Sequence, residues 1–155
     1  MFGESLLGAA MTTFLMAMVP VIELRGALPV GVAAGLPVWA ATVIAIVGNM
    51  VPIPFILLLL RRIFAWLRKL PKLGAFIDRL EKRAHLKGRT VKKYRLWGLL
   101  ILVAIPLPGT GAWTGALVAD VLDMRMKTAL PAIFAGVCIA GVIVALLTTG
   151  IVHFF

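Results

Sequence analysis

Gly26-Ala27-Leu28-Pro29-Val30-Gly31-Val32-Ala33-Ala34-Gly35-Leu36-Pro37 opens an apolar run that reaches Leu60 without a single charge. Residues 26–60 are too many for one crossing, since about 20 residues span the hydrocarbon layer of a bilayer. Gly35-Leu36-Pro37 divides the run. Beyond it, residues 38–60 make a full-length transmembrane helix, which Pro52 and Pro54 should kink by each removing a backbone hydrogen bond. Before it, residues 26–34 are too few to cross. They lie among Pro20, Pro29 and Gly35, and read as a half-helix.

The same pattern recurs on working outward. Residues 5–22 are a further apolar block on the N-terminal side. On the other side, residues 96–105 lead into Pro106-Leu107-Pro108-Gly109-Thr110-Gly111, which cannot be continuous helix. Residues 112–119 form a second short apolar piece, ended by Asp120 and Asp123, and residues 128–153 supply another full-length helix. Gly26-Ala27 and Gly111-Ala112 hold equivalent places after the two breaks. The expected fold is therefore all-α and integral to the membrane: an inverted repeat of re-entrant hairpin plus transmembrane helix. It is one membrane domain over residues 1–155, with repeat one at 5–60, a basic amphipathic cytoplasmic linker at 61–95 and repeat two at 96–153.

Composition agrees with a lipid solvent. The 155 residues are 62% hydrophobic and 14% charged, against about 45–50% and about 25% in soluble domains. The net charge of +10 is concentrated: every Lys and Arg except Arg25, Arg125 and Lys127 falls within residues 61–95. Short loops rich in Lys and Arg stay in the cytoplasm, so this distribution points to membrane topology and away from a nucleic-acid partner. With the linker inside, two hairpins that re-enter leave the N-terminus outside, Arg125 and Lys127 inside, and His153 outside. Plain helical pairs would put Arg125 and Lys127 opposite the linker. The location expected is the cell (cytoplasmic) membrane, with several passes. The N-terminal stretch lacks a basic segment before its apolar block, so that block is expected to be retained. In the linker, Ile63, Phe64, Trp66, Leu67 and Leu70, then Phe76, Ile77, Leu80 and Ala84, alternate with basic residues. They read as amphipathic helices on anionic lipid of the inner leaflet, each basic group contributing about 1 kcal/mol.

Charges at membrane depth are costly and mark ion or substrate paths. Glu23 and Arg25, with Gly26 and Pro29 beside them, form the first candidate site. Glu23 can change charge and is the candidate proton or cation carrier. Arg25 presents a planar fork suited to phosphate or carboxylate. The second candidate is Pro106, Pro108, Gly109, Thr110, Gly111, Trp113 and Thr114. Broken backbone at this depth must be buried in protein or line a cavity, and the half-helix starting at Gly111 offers free N–H groups to an anion. Asn49 faces either the hairpin tips or a neighbouring helix. No residue spacing points to a metal, a cofactor or a catalytic nucleophile, so an enzyme is not expected. The single cysteine, Cys138, forms no intrachain disulfide.

Glu23-Leu24-Arg25-Gly26-Ala27-Leu28-Pro29, together with Pro106-Leu107-Pro108-Gly109-Thr110-Gly111-Ala112-Trp113-Thr114-Gly115, resembles the small multi-drug export protein family. That family is in turn similar to the DedA (VTT-domain) membrane proteins. The resemblance implies two re-entrant hairpins in inverted repeats and lipid-carrier translocation, with Glu23 matching an acidic residue of the first hairpin. The second hairpin there carries arginines, whereas here the arginine is Arg25, in the first. The leading expectation is a proton- or cation-coupled transporter of an amphipathic substrate, favouring an anionic headgroup such as a lipid-linked phosphate. An exporter of cationic amphipathic compounds and a non-transporting membrane scaffold are the alternatives. Four short elements enclose little volume, and a homodimer is expected.

Overall fold

The computed structural model describes residues 2–67, 69–72, 75–76, 79, 88–107, 110–122 and 124–154. Among them the chain is all helical: α1 (Phe2–Met18), α2 (Glu23–Ala33), α3 (Val38–Met50), α4 (Pro52–Leu67), α5 (Gly88–Ala104), α6 (Ala112–Val121) and α7 (Met126–Phe154). Two stretches, Val38–Leu67 and Met126–Ile151, are long and apolar enough to cross a membrane.

The break at Gly35-Leu36-Pro37 lies where the sequence places it. Gly35 takes φ +102°, a left-handed conformation open to glycine. The Leu36 N–H then turns back to the Gly31 carbonyl at 3.0 Å, the bond that closes a helix end of this kind. Pro37 is extended and α3 starts behind it. Three boundaries differ from expectation. The half-helix begins at Glu23 rather than Gly26, so the charged pair lies in its first turn and Pro29 lies inside it. The interruption before Pro52 is slight, because Val51 keeps helical angles and the proline sits at a helix start, where its missing N–H costs nothing. Third, α4 runs on to Leu67. Ile63, Phe64, Trp66 and Leu67 therefore extend the long helix and are not a separate surface helix. Of the second amphipathic stretch, Ile77, Leu80 and Ala84 lie outside the described residues, as do Pro108, Gly109 and Asp123.

Packing uses small residues, which let helices approach where lipid supplies no hydrophobic drive. α1 and α2 form a hairpin closed by residues 19–22, with Gly31 of α2 against Thr13 of α1. α3 lies along both arms, Gly48 touching the Phe14 carbonyl. α5 and α6 form the second hairpin, and α7 packs on α5 through Gly136, which meets Val103 and the Leu100 carbonyl. The long helices cross at Gly141, which contacts Thr42 and Ile46. Buried Ala41, Ala45, Ala112, Ala116, Ala129, Ala132 and Ala140 line these seams, with Leu28, Ile53, Leu57, Leu99 and Ile133 filling between. At the basic end, Arg61 donates to the Met124 carbonyl at 2.6 Å and Arg95 to the Leu122 carbonyl at 3.1 Å. The middle of α5, the end of α6 and the middle of α4 thus lie side by side. Large apolar side chains such as Trp39, Phe55, Leu146 and Leu147 point outward.

Candidate functional site

The site is the place where the two hairpin turns meet. In the first, the Glu23 N–H donates to the Val19 carbonyl at 2.9 Å. Glu23 has φ +50° and is the non-glycine residue with positive φ among the described residues. Such a backbone costs of order 1–3 kcal/mol and persists where the surroundings demand it. The demand is visible across the gap. The Glu23 Oε1 accepts the backbone N–H of Trp113 at 3.3 Å, and Glu23 is only 5% exposed. Gly111 precedes α6 with φ +141° and no side-chain cap of its own. A Cβ at Gly111 would collide with the Glu23 carboxyl group. The carboxylate of one hairpin therefore caps the half-helix of the other, and satisfies part of its positive end.

Arg25 performs the opposite task. Its guanidinium donates to the carbonyls of Leu107 and Ile105, the latter at 3.0 Å, and to Thr110 Oγ1 at 2.8 Å. Ile105 and Leu107 follow directly on α5, so a cation sits at the negative end of that helix. Thr110 Oγ1 lies 2.7 Å from the Ile105 carbonyl and 2.9 Å from that of Leu107. It also accepts the Leu107 N–H at 3.3 Å. The hydroxyl closes the loop on itself and presents its oxygen to Arg25.

This arrangement corrects one expectation. The N-terminus of α6 is not a vacant anion site, because Glu23 occupies it. Glu23 and Arg25 lie two apart on one helix and do not face one another, and each charge reaches separately into the second hairpin. The other expected residues divide. Gly26 packs beneath Ile22. Pro29 and Pro106, with Arg25, line an open cleft of about 600 Å³ completed by Val32, Ala33, Val144, Leu147, Thr148 and Ile151. Asn49 is buried near Glu23, its Oδ1 without a partner. Trp113 packs on the core with its Nε1 buried and unpaired, and Thr114 is half-buried on α6. The reciprocal capping escaped the sequence reading, although a signal existed. No Ser, Thr, Asp or Asn stands at the start of α6, and Glu23 is the carboxylate at comparable depth able to replace one.

Two long apolar helices and two hairpins joined by a buried acid and a half-buried base define an all-helical membrane protein. Residues 23–143 match the family described as "Putative small multi-drug export protein", and the chain belongs to that family. The match begins at Glu23, directly after the first hairpin turn, and takes in the second; it shows no DedA relationship. No curated protein and no solved structure matches the chain.

Proposed function

We propose that the protein carries an amphipathic substrate with an anionic headgroup across the cytoplasmic membrane, through the cleft beside Arg25. Membership of an export family supports transport in general. The observation that carries the finer reading is the cleft itself. Of the residues lining it, Arg25 alone is charged, and Val32, Val144, Leu147 and Ile151 form an apolar wall. A guanidinium has five N–H donors, and three contacts to the second hairpin leave others for a phosphate or carboxylate head. A cationic compound would meet Arg25 without a counter-charge, because Glu23 faces α6 and does not line the cleft. The cationic-drug alternative is therefore the weaker one at this place.

The reading also takes the hairpins as re-entrant. Asn49 lies eleven residues past Val38, and Val137 eleven past Met126. At 1.5 Å per residue each is about 17 Å into its helix, close to the middle of a hydrocarbon layer about 30 Å thick. Both residues border the small cavity between the hairpin turns. Support for a cytoplasmic basic end comes from Arg61 and Arg95, which hold both feet of the second hairpin there. The cleft then opens toward the outer leaflet, and proton uptake by Glu23 loosens the joint between hairpins and drives the exchange of access.

Vesicles reconstituted with the protein test this. Dodecyl phosphate should move across the membrane in response to a pH gradient, and dodecyltrimethylammonium should neither move nor compete. Leu147→Trp, filling the cleft from an exposed position, should reduce flux at least tenfold. Flux of dodecyl phosphate at the wild-type rate in that variant, movement of the cation, or no flux of either compound would overturn the proposal. Surface labelling that put Trp113 and residues 61–95 on opposite faces would remove the re-entrant topology.

A further inference from the structure

Between the two hairpin turns lies a small cavity of about 10 Å³, which shares Arg25 with the cleft. That is room for one water molecule. Its polar wall is Glu23 and Arg25 from α2 and Asn49 from α3. Asn49 is 2% exposed and its Oδ1 has no hydrogen-bond partner. A buried acceptor left without a donor is destabilising, and mid-helix packing of small residues gives no reason to keep an amide there. Leucine of similar volume would bury more favourably.

The groups around Glu23 say what kind of partner Asn49 waits for. Arg25 on the same helix is the one other charged group at the cavity. α5 contributes Val103, α6 Ala112, and α7 Val137 and Ala140, none of which titrates. The positive end of α6 and the arginine make a metal cation unwelcome, and two oxygen ligands are too few to hold one. A hydrogen-bond donor is what the oxygen lacks, and a protonated carboxyl group is a donor that a carboxylate is not.

We propose that this cavity is a proton-loading site, in which one water links Glu23 to Asn49 and Asn49 is the acceptor of the loaded state. With Glu23 ionised, the carboxylate accepts from α6 and the water donates to both oxygens. A proton from solvent adds to the carboxylate. The neutral acid donates its O–H to the water, which donates on to Asn49 Oδ1. The bond to the Trp113 N–H weakens as the negative charge vanishes. Asn49 is thus a positioning residue: it makes the loaded state a defined structure instead of a broken one. The inference rests on Glu23 as the proton carrier, and deepens that reading.

Infrared difference spectroscopy on the purified full-length protein, between neutral and acid pH, reads the site without any substrate. A carboxylic-acid band should appear in the wild type and vanish in Glu23→Gln. In Asn49→Leu it should move to higher wavenumber, as the acid loses the water that Asn49 anchors and that accepts its O–H, while Asn49→Ser, which retains an oxygen to hold that water, should keep it nearer the wild-type position. The same band position in wild type, Asn49→Leu and Asn49→Ser would overturn the assignment of Asn49. Absence of any band dependent on Glu23 would overturn the proton site, while leaving flux through the cleft to be judged by the vesicle assay.

Discussion

The two hairpin turns are built from opposite materials. The first has two charges two residues apart and a nearly continuous helix after them. The second, among its described residues, has no charged side chain; its N–H groups at the start of α6 have no side-chain cap from their own helix, and its carbonyls after α5 are met within the turn only by the loop's own N–H groups and the Thr110 hydroxyl. Neither turn is tenable alone once buried away from water, where an unpaired backbone group or lone charge is costly. Together they cancel, acid to N–H end and base to carbonyl end. The comparison teaches that Glu23 and Arg25 are as much structural complements of a broken helix as they are candidate carriers. A transport cycle that neutralises one of them therefore acts on the contact between hairpins.

The sharpest way to break this comparison is to exchange the charges, Glu23→Arg with Arg25→Glu. A mutual ion pair would survive the exchange. Reciprocal capping would not, since each charge would meet a helix end of its own sign, and thermal unfolding in detergent should show a loss of about 3–5 kcal/mol, as for a buried charge left unpaired. Gly111→Val comes next. It forces a side chain onto the Glu23 carboxylate from a backbone at φ +141°, and should cost about 3 kcal/mol, whereas Gly98→Ala, with open space around it, should be neutral or slightly stabilising. Arg25→Lys keeps the charge and loses the fork, so a loss of about 1–2 kcal/mol is expected; no loss would mean that the contacts to Ile105 and Thr110 are incidental. Smallest is Asp120→Asn. Its ion pair with Arg61 spans 3.7 Å with the arginine 41% exposed, which places the effect below about 1 kcal/mol and makes it fade in high salt.

Much of the scaffold was readable because lipid leaves few alternatives. The Gly35-Leu36-Pro37 break, both long helices and the interruption after Ile105 follow from span length and from proline and glycine chemistry. Boundaries within the basic segment were not, because Arg61, Arg62 and the apolar residues after them suit a continuing helix as well as a surface one. Glu23, Arg25, Asn49 and Thr110 could be singled out as residues foreign to an apolar setting. Their partners could not be found by the same reasoning. For Glu23 and Arg25 those partners are backbone groups of residues 80 to 90 positions away, and backbone leaves no mark in composition. The cleft escaped as well, since Val144, Leu147 and Ile151 look like any lipid-facing stripe until α2 is laid beside them.

Solid-state NMR on the protein in bilayers tests the joint between hairpins most directly. With glutamate labelled by carbon-13 at the side-chain carboxyl and tryptophan by nitrogen-15 at the backbone, the Glu23 to Trp113 dipolar coupling reports their separation. The account predicts a coupling of hydrogen-bond range, matching an N to O distance of 3.3 Å, and its disappearance in Glu23→Gln. A Glu23 carboxyl group with no coupling to Trp113 at neutral pH would contradict it.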